Sequence, residues 1–228
     1  MNLQKPSEAN DLLQKGKRTY GVNLIRTLFW TPRSLWIPGF LSQGECLALH
    51  YWAQKVPAGG HILEVGSWKG KSAYCLAKGC RKDVELTLVD PLDGRGESSS
   101  QFTYQQHMNG SLLEQLERNL SSVRRSRRIR IFRGTTADLP ATTQSIHLLF
   151  LDGDHSEQGV RKDLQNLLPF LRPGALLLFH DCAPWSISAG PRIVAGEWVR
   201  HGMMEPIEQK DSIMVARFLG SKTKSPVT

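Results

Sequence analysis

From His61 to Phe179, short apolar runs of strand length alternate with stretches whose apolar residues recur at helical spacing. That alternation constrains the chain more than any other feature. Strand–helix–strand repeats of this kind build a doubly wound, mostly parallel α/β sheet with helices on both faces. The strands are expected at His61–Val65, Glu85–Val89, Ile129–Arg133, His147–Leu151 and Ala175–Phe179. Between them fall helices over Lys71–Lys78, Tyr104–Leu120 and Glu157–Leu171. Ser156 can cap the last of these, which Pro169 ends a turn early or Pro173–Gly174 ends outright. A helix over Arg192–Arg200 follows, and Ile207 with Ser212–Phe218 forms a terminal antiparallel hairpin. Ser42 and Glu45 form a capping box for a helix carrying Leu47, Leu49, Trp52 and Val56.

At 228 residues the chain is long enough for one such domain and short for two. The expected organisation is a single domain over residues 19–220, whose first part, 19–58, is a helical cover. The segments 1–18 and 221–228 read as frayed tails. No apolar segment is long enough to span a bilayer, and no secretory leader is visible. Cys46, Cys75, Cys80 and Cys182 show neither CxxC nor zinc spacing and read as reduced thiols of a cytoplasmic protein. The net charge of +8 owes much to Arg124, Arg125, Arg127, Arg128, Arg130 and Arg133. A solvated turn and an anion-binding patch both explain that run, and no nucleic-acid-binding motif accompanies it.

In open α/β sheets ligands bind outside the carboxyl ends of the strands. The first strand runs into Glu64-Val65-Gly66-Ser67-Trp68-Lys69-Gly70-Lys71-Ser72. A dinucleotide fingerprint requires glycine where Trp68 stands, and a phosphate-binding P-loop requires four residues between Gly66 and Gly70 instead of three. An acidic residue followed by G-x-x-x-G is instead the form found in methyltransferases. On that reading Gly66, Ser67, Trp68 and Gly70 carry the methionine part of S-adenosylmethionine, Glu64 receives its ammonium group, and Ser72 binds its carboxylate at a helix N-terminus. Asp90, ending the second strand, is placed to accept the ribose hydroxyls. Thr135 and Thr136, after the third strand, can reach the adenine edge.

The fourth and fifth strands end in Asp152-Gly153-Asp154-His155-Ser156 and His180-Asp181-Cys182. Asp152 and Asp181 thus meet at one sheet edge with His155 and His180 near by, a concentration of ionisable groups that points to chemistry. Carboxylates suit Mg²⁺, and imidazole shifts the preference towards another divalent ion. Ser156 and Asp154 also serve as helix caps.

The stretches Leu63–Ser72, Leu151–Ser156 and Phe179–Asp181 together resemble the bacterial class I methyltransferases of the "family 24" domain, a group similar to catechol, caffeoyl-CoA and macrolide-sugar O-methyltransferases. The resemblance runs from about Trp36 to Phe218. It implies a Rossmann-like fold, S-adenosylmethionine, and a divalent metal that holds the acceptor hydroxyl. In catechol-type enzymes an aspartate at the place of Asp152 binds the metal, and a lysine at the place of His155 is the base. An Asp-Asn pair of ligands follows the fifth strand; here either His180-Asp181 or Asp181-Cys182 takes that place, and the asparagine is missing. The resulting site is catalytic His155, Asp152 and His180 with metal ligands Asp152 and Asp181. The acceptor is a small hydroxylated molecule of sugar, phenol or polyketide type. A regulatory protein that binds a nucleotide or S-adenosylmethionine without turnover is the other reading of the same fold. The oligomeric state is open, a homo-oligomer included.

Overall fold

The computed structural model describes residues 33–94 and 110–220. Both expected tails, the cover before Arg33 and the expected helix start at Tyr104–Met108 lie outside these described residues. Residues 33–36 are helical. The elements then run α1 (Gln43–Ala53), β1 (His61–Val65), α2 (Lys71–Gly79), β2 (Glu85–Asp90), α3 (Leu112–Arg124), β3 (Arg128–Arg133) and β4 (Ile146–Leu151). They continue with α4 (Glu157–Leu167), β5 (Leu171–Phe179), α5 (Gly190–Arg200), β6 (Met204–Lys210) and β7 (Ile213–Phe218).

The seven strands form one sheet in the order β3-β2-β1-β4-β5-β7-β6. β1 to β5 are parallel, β7 is antiparallel to β5, and β6 is antiparallel to β7. This is the expected doubly wound, Rossmann-like architecture, and strand order reverses between β1 and β4. Side chains along each strand alternate between the faces, so each inner strand feeds two cores. Ile62, Leu86, Leu88, Phe150 and Leu178 pack under α1, α2 and α3. Leu63, Val89, Leu149, Leu177 and Phe179 pack under α4 and α5. Fully burying one such leucine contributes about 1.5–3 kcal/mol.

Several boundaries differ from those expected. α3 starts at Leu112 because Ser111 caps it, its hydroxyl accepting from the Glu114 N–H at 3.3 Å, after Gly110 has turned the chain at φ 77°. It runs on to Arg124, so the arginine run begins on a helix. α4 ends at Leu167, Pro169 sits in a 3-10 turn over Leu168–Phe170, and Leu171 belongs to β5. Ile146 pairs with Leu171 but Leu148 pairs with Leu176, so Pro173–Gly174 forms a bulge within β5, where a proline cannot donate to the ladder. α5 begins at Gly190 with Pro191 in its first turn.

The arginine run is distributed rather than gathered. Arg124 pairs with Glu117 at 2.9 Å, Arg127 Nε donates to the Ala77 carbonyl at 2.7 Å, and Arg128, Arg130 and Arg133 stand exposed on the edge strand β3. Charged residues there discourage edge-to-edge pairing with other chains. Among the described residues no helix is long and apolar enough to cross a membrane.

Candidate active site

The strand-order reversal places the ends of β1 and β4 side by side, and Gly66 is where they touch. A Cβ on Gly66 would fall 2.1 Å from the Asp152 carbonyl oxygen, and its φ is 83°, so no other residue fits. The Gly66 N–H donates to the Val89 carbonyl and the Asp152 N–H to the Val65 carbonyl, both at 2.9 Å, which locks the three strand ends together. Trp68 next in the loop has φ 46°, a conformation rarely held by a bulky side chain.

Asp90 braces this loop. Its Oδ2 accepts from the Ser67 and Trp68 N–H groups at 2.7 and 2.9 Å, and its Oδ1 from the Leu92 N–H at 2.7 Å. The residue expected to take a ribose therefore also shapes the loop that precedes it, and Oδ1, with one donor, keeps lone-pair capacity for another. Glu64 is fully buried and accepts a short hydrogen bond from the Ser72 hydroxyl. Burial raises its carboxyl, the Ser72 bond opposes this, and the Asp152 and Asp90 charges add to the rise, so it lies well above the usual carboxylate range. Ser72, expected to face a ligand carboxylate, is thus turned to Glu64. Glu64 Oε2 and Ser67 Oγ are buried without a hydrogen-bond partner.

After β3, Thr135 and Asp138 cap a 3-10 turn reciprocally. The Thr136 hydroxyl donates to Asp163 at 2.7 Å and accepts from Asn166 Nδ2 at 2.9 Å. Asp163, read from sequence only as part of a helix, is therefore a wall of the site. Burial raises its carboxyl, against the Thr136 bond.

The register of β4 on β5 decides which residues meet at the other end. Leu151 pairs with Phe179, and the His180 N–H donates to the Leu151 carbonyl at 3.0 Å. His180-Asp181 therefore stands beside Asp152, while Cys182 is fully buried away from it. Burial pushes the Cys182 thiol up to about 12. Asp181 has φ 55°, in the left-handed region that aspartate tolerates. Asp152, His155, His180 and Asp181 each offer one ligand atom, all within 4.8 Å of one another. His155 Nε2 lies 3.2 Å from Asp152 Oδ1 and 3.4 Å from Asp181 Oδ2. His180 Nδ1 lies 2.9 Å from Asp152 Oδ1 and 3.4 Å from Asp181 Oδ2.

Despite that closeness His180 Nδ1 is not aligned for a hydrogen bond and is buried without a partner. Two carboxylates and two imidazoles brought together in this way could hold a cation. With a divalent ion about 2.1 Å from each donor, adjacent donors sit about 3.0–3.4 Å apart, close to the separations found. Imidazole among the donors favours a first-row transition ion over Mg²⁺.

Glu45 completes the cluster from α1. It keeps its capping role, Oε2 accepting from the Ser42 N–H at 2.8 Å, and also lies 3.5 Å from His180 Nε2. Its Oε1 accepts from the Ser212 N–H and hydroxyl at 2.9 and 2.6 Å. Burial opposes its charge, but contact with His180 and the Ser212 and Ser42 bonds prevail and hold its carboxyl at about 2. For Asp152, likewise, burial is outweighed by His180 and His155, leaving it below the usual range. For His180, burial is outweighed by the Asp152 charge and by contacts to Asp152, Asp181 and Glu45, so its imidazole is raised well above the usual value. Sequence reading missed Glu45 because the capping box already explained it.

Glycine loop, Asp90, threonine turn and acidic–histidine cluster line one cleft of about 700 Å³, within the range of small-molecule sites. A family model described as a methyltransferase domain matches residues 63–182, from the glycine loop through the cluster. The chain belongs to this methyltransferase family. No curated protein matches the methyltransferase sequence. Solved structures share its fold at low identity. The O-methyltransferase TomG from Streptomyces achromogenes, in complex with SAM, is 17% identical over 94% of this chain and 96% of that one, with a TM-score of 0.56. A methyltransferase from Geobacter sulfurreducens is 16% identical over 94% and 96%, with a TM-score of 0.59. An O-methyltransferase from Bacillus cereus in complex with SAH is 14% identical over 93% and 97%, with a TM-score of 0.56.

Proposed function

We propose that this methyltransferase moves the methyl group of S-adenosylmethionine to a hydroxyl of a small molecule, with a divalent cation and a histidine base. The observation that carries the reading is the placement of two kinds of site in one cleft. At one end are the glycine loop, Asp90, Thr135 and Thr136; at the other are Asp152, His155, His180 and Asp181. The sulfonium end of the cofactor would lie near Gly66, which abuts Asp152. The ribose would meet Asp90 and the adenine the threonine turn. Ser67 Oγ, buried and unpartnered, supplies a hydrogen bond to the methionine part. Residues 19–220 form the catalytic unit on this reading, with 19–58 as its cover.

Methyl transfer is an in-line displacement: the oxygen–carbon bond forms as the carbon–sulfur bond breaks, and the hydroxyl proton must leave. His155 takes up that proton on its imidazole, whose Nε2 faces Asp152 and Asp181 across the cluster. Asp152 and Asp181 orient the ring and balance the charge it acquires. His180 has Nδ1 2.9 Å from Asp152 and Nε2 3.5 Å from Glu45, an inward donor backed by a carboxylate, which suits a ligand better than a proton carrier. A cation held by Asp152, His180 and Asp181, when bound, makes the acceptor hydroxyl more acidic. Positioning supplies the remainder, since the leaving group is already activated.

The test is S-adenosylhomocysteine release from S-adenosylmethionine across a panel of hydroxylated acceptors, before and after chelation and after Mn²⁺ is restored. Acceptor-dependent release that chelation abolishes and Mn²⁺ restores supports the reading. Full turnover in chelated protein removes the cation, and cofactor binding with no release for any acceptor favours a regulatory binding protein.

A further inference from the structure

Four buried side-chain atoms among the described residues have no hydrogen-bond partner: Glu64 Oε2, Ser67 Oγ, His180 Nδ1 and Ser186 Oγ. Leaving a polar atom buried and unpaired costs about 1–3 kcal/mol, so each such atom calls for an explanation. Three of them belong to the cofactor loop and the cation cluster. Ser186 belongs to neither. It lies on the segment joining β5 to α5 and lines the same cleft as Asp152, His155 and Asp181.

Its neighbours have the opposite character. Trp185 is 74% exposed and Ile187 99% exposed, and both line the cleft, as does Phe40, 55% exposed, which precedes α1. Large apolar side chains left to solvent at a cleft mouth mark a ligand surface more often than a packing fault. The segment is also anchored. The Ser188 hydroxyl donates a short hydrogen bond to the His155 carbonyl oxygen, and the Ser186 N–H donates to the Ala183 carbonyl at 3.1 Å. It is thus tied to the backbone of the proposed base.

We propose that Trp185, Ser186 and Ile187 form the acceptor-recognition platform, and that the acceptor is a flat, mainly apolar, uncharged molecule with a second polar group besides the hydroxyl that reacts. This rests on the methyltransferase reading above. Trp185 and Ile187 cover the apolar body and Ser186 Oγ pairs with the second polar group, while the reacting hydroxyl points to the cluster. A sugar carries hydroxyls on every edge and offers Trp185 and Ile187 less apolar area than a flat ring system does. A phosphate on the body of the acceptor would find no basic side chain on the segment around Trp185, Ser186 and Ile187.

The test titrates S-adenosylhomocysteine into the Mn²⁺-loaded protein by calorimetry, then titrates the saturated complex with 2,3-dihydroxynaphthalene and, separately, with methyl glucoside. Wild-type protein should bind the naphthalene diol at least tenfold more tightly than the glucoside. Ser186→Ala should weaken the diol about fivefold and Trp185→Ala about tenfold, with the S-adenosylhomocysteine affinity of both variants within twofold of wild type. That last measurement also shows that the variants are folded. If S-adenosylhomocysteine binds but the diol does not, or the glucoside binds better, or neither variant weakens the diol, the platform is refuted and the methyltransferase reading stands. If S-adenosylhomocysteine itself does not bind, the reading beneath the proposal fails and the proposal with it.

Discussion

Glu45 Oε2 lies 3.5 Å from His180 Nε2 and so joins the first described long helix to the end of the fifth strand. The same carboxylate caps its own helix and receives Ser212 from the terminal hairpin. One side chain thus connects α1, the hairpin and the cluster. With Nε2 on the Glu45 side, His180 Nδ1 faces Asp152.

Glu45→Gln keeps the shape and part of the capping but removes the charge opposite His180. Partners behind a metal-bound histidine typically contribute 10–100-fold in metal affinity. The expected result is an activation curve displaced by that amount to higher Mn²⁺, with turnover recovered at saturation. Metal titration of initial rates checks it, and an unshifted curve would leave Glu45 with only its capping role.

The same pair sets how stability depends on pH when no cation is bound. Glu45 titrates at about 2 instead of 4.5, so its contribution is present above 4.5 and is lost as pH falls towards 2. His180 is raised above 6.5, so its contribution is complete below 6.5 and is lost as pH rises through its folded value. Chelated protein should therefore melt highest between about pH 4.5 and 6.5, with respect to this pair. Glu45→Gln/His180→Gln protein should show a flatter profile in thermal melts from acid to mildly alkaline pH.

Asp90→Ala removes an acceptor from three backbone N–H groups at once. Affinity for S-adenosylhomocysteine should fall 10–100-fold, and stability should fall by about 1–3 kcal/mol as the loop loses its brace. Calorimetry and denaturant melts read the two effects separately. Loss of affinity with unchanged stability would show that Asp90 serves the ligand alone.

His155→Ala should lower turnover by about 10²–10⁴ while S-adenosylhomocysteine binds nearly as before. His180→Ala should instead act through metal affinity. Single-turnover rates at saturating Mn²⁺ distinguish them; normal turnover of His155→Ala at that point assigns the proton elsewhere.

Much of this was legible in the sequence because it is local. Glycines at 60 and 66 bracket His61–Val65, and the strand falls there as expected. The glycine loop, Asp90 and the two acidic strand ends also follow from position along single strands, because a parallel sheet gathers strand ends at one edge. What the sequence concealed depends on pairing between distant segments. The choice of His180-Asp181 over Asp181-Cys182 needs the β4–β5 register, and the bulge at Pro173–Gly174 alters that register. The turn of Ser72 to Glu64 and the reach of Glu45 to His180 are contacts across elements, which periodicity does not encode. The apolar stripe of α3 persuades one to start it early, and only the Ser111 cap stops it.

The central claim is that the cleft is built for S-adenosylmethionine. Calorimetric titration of S-adenosylhomocysteine into the wild-type protein tests it without knowledge of the acceptor. Saturable one-site binding in the micromolar range, about −8 kcal/mol, is the predicted result. The absence of saturable heat at millimolar ligand, in protein shown by thermal melting to be folded, would contradict it.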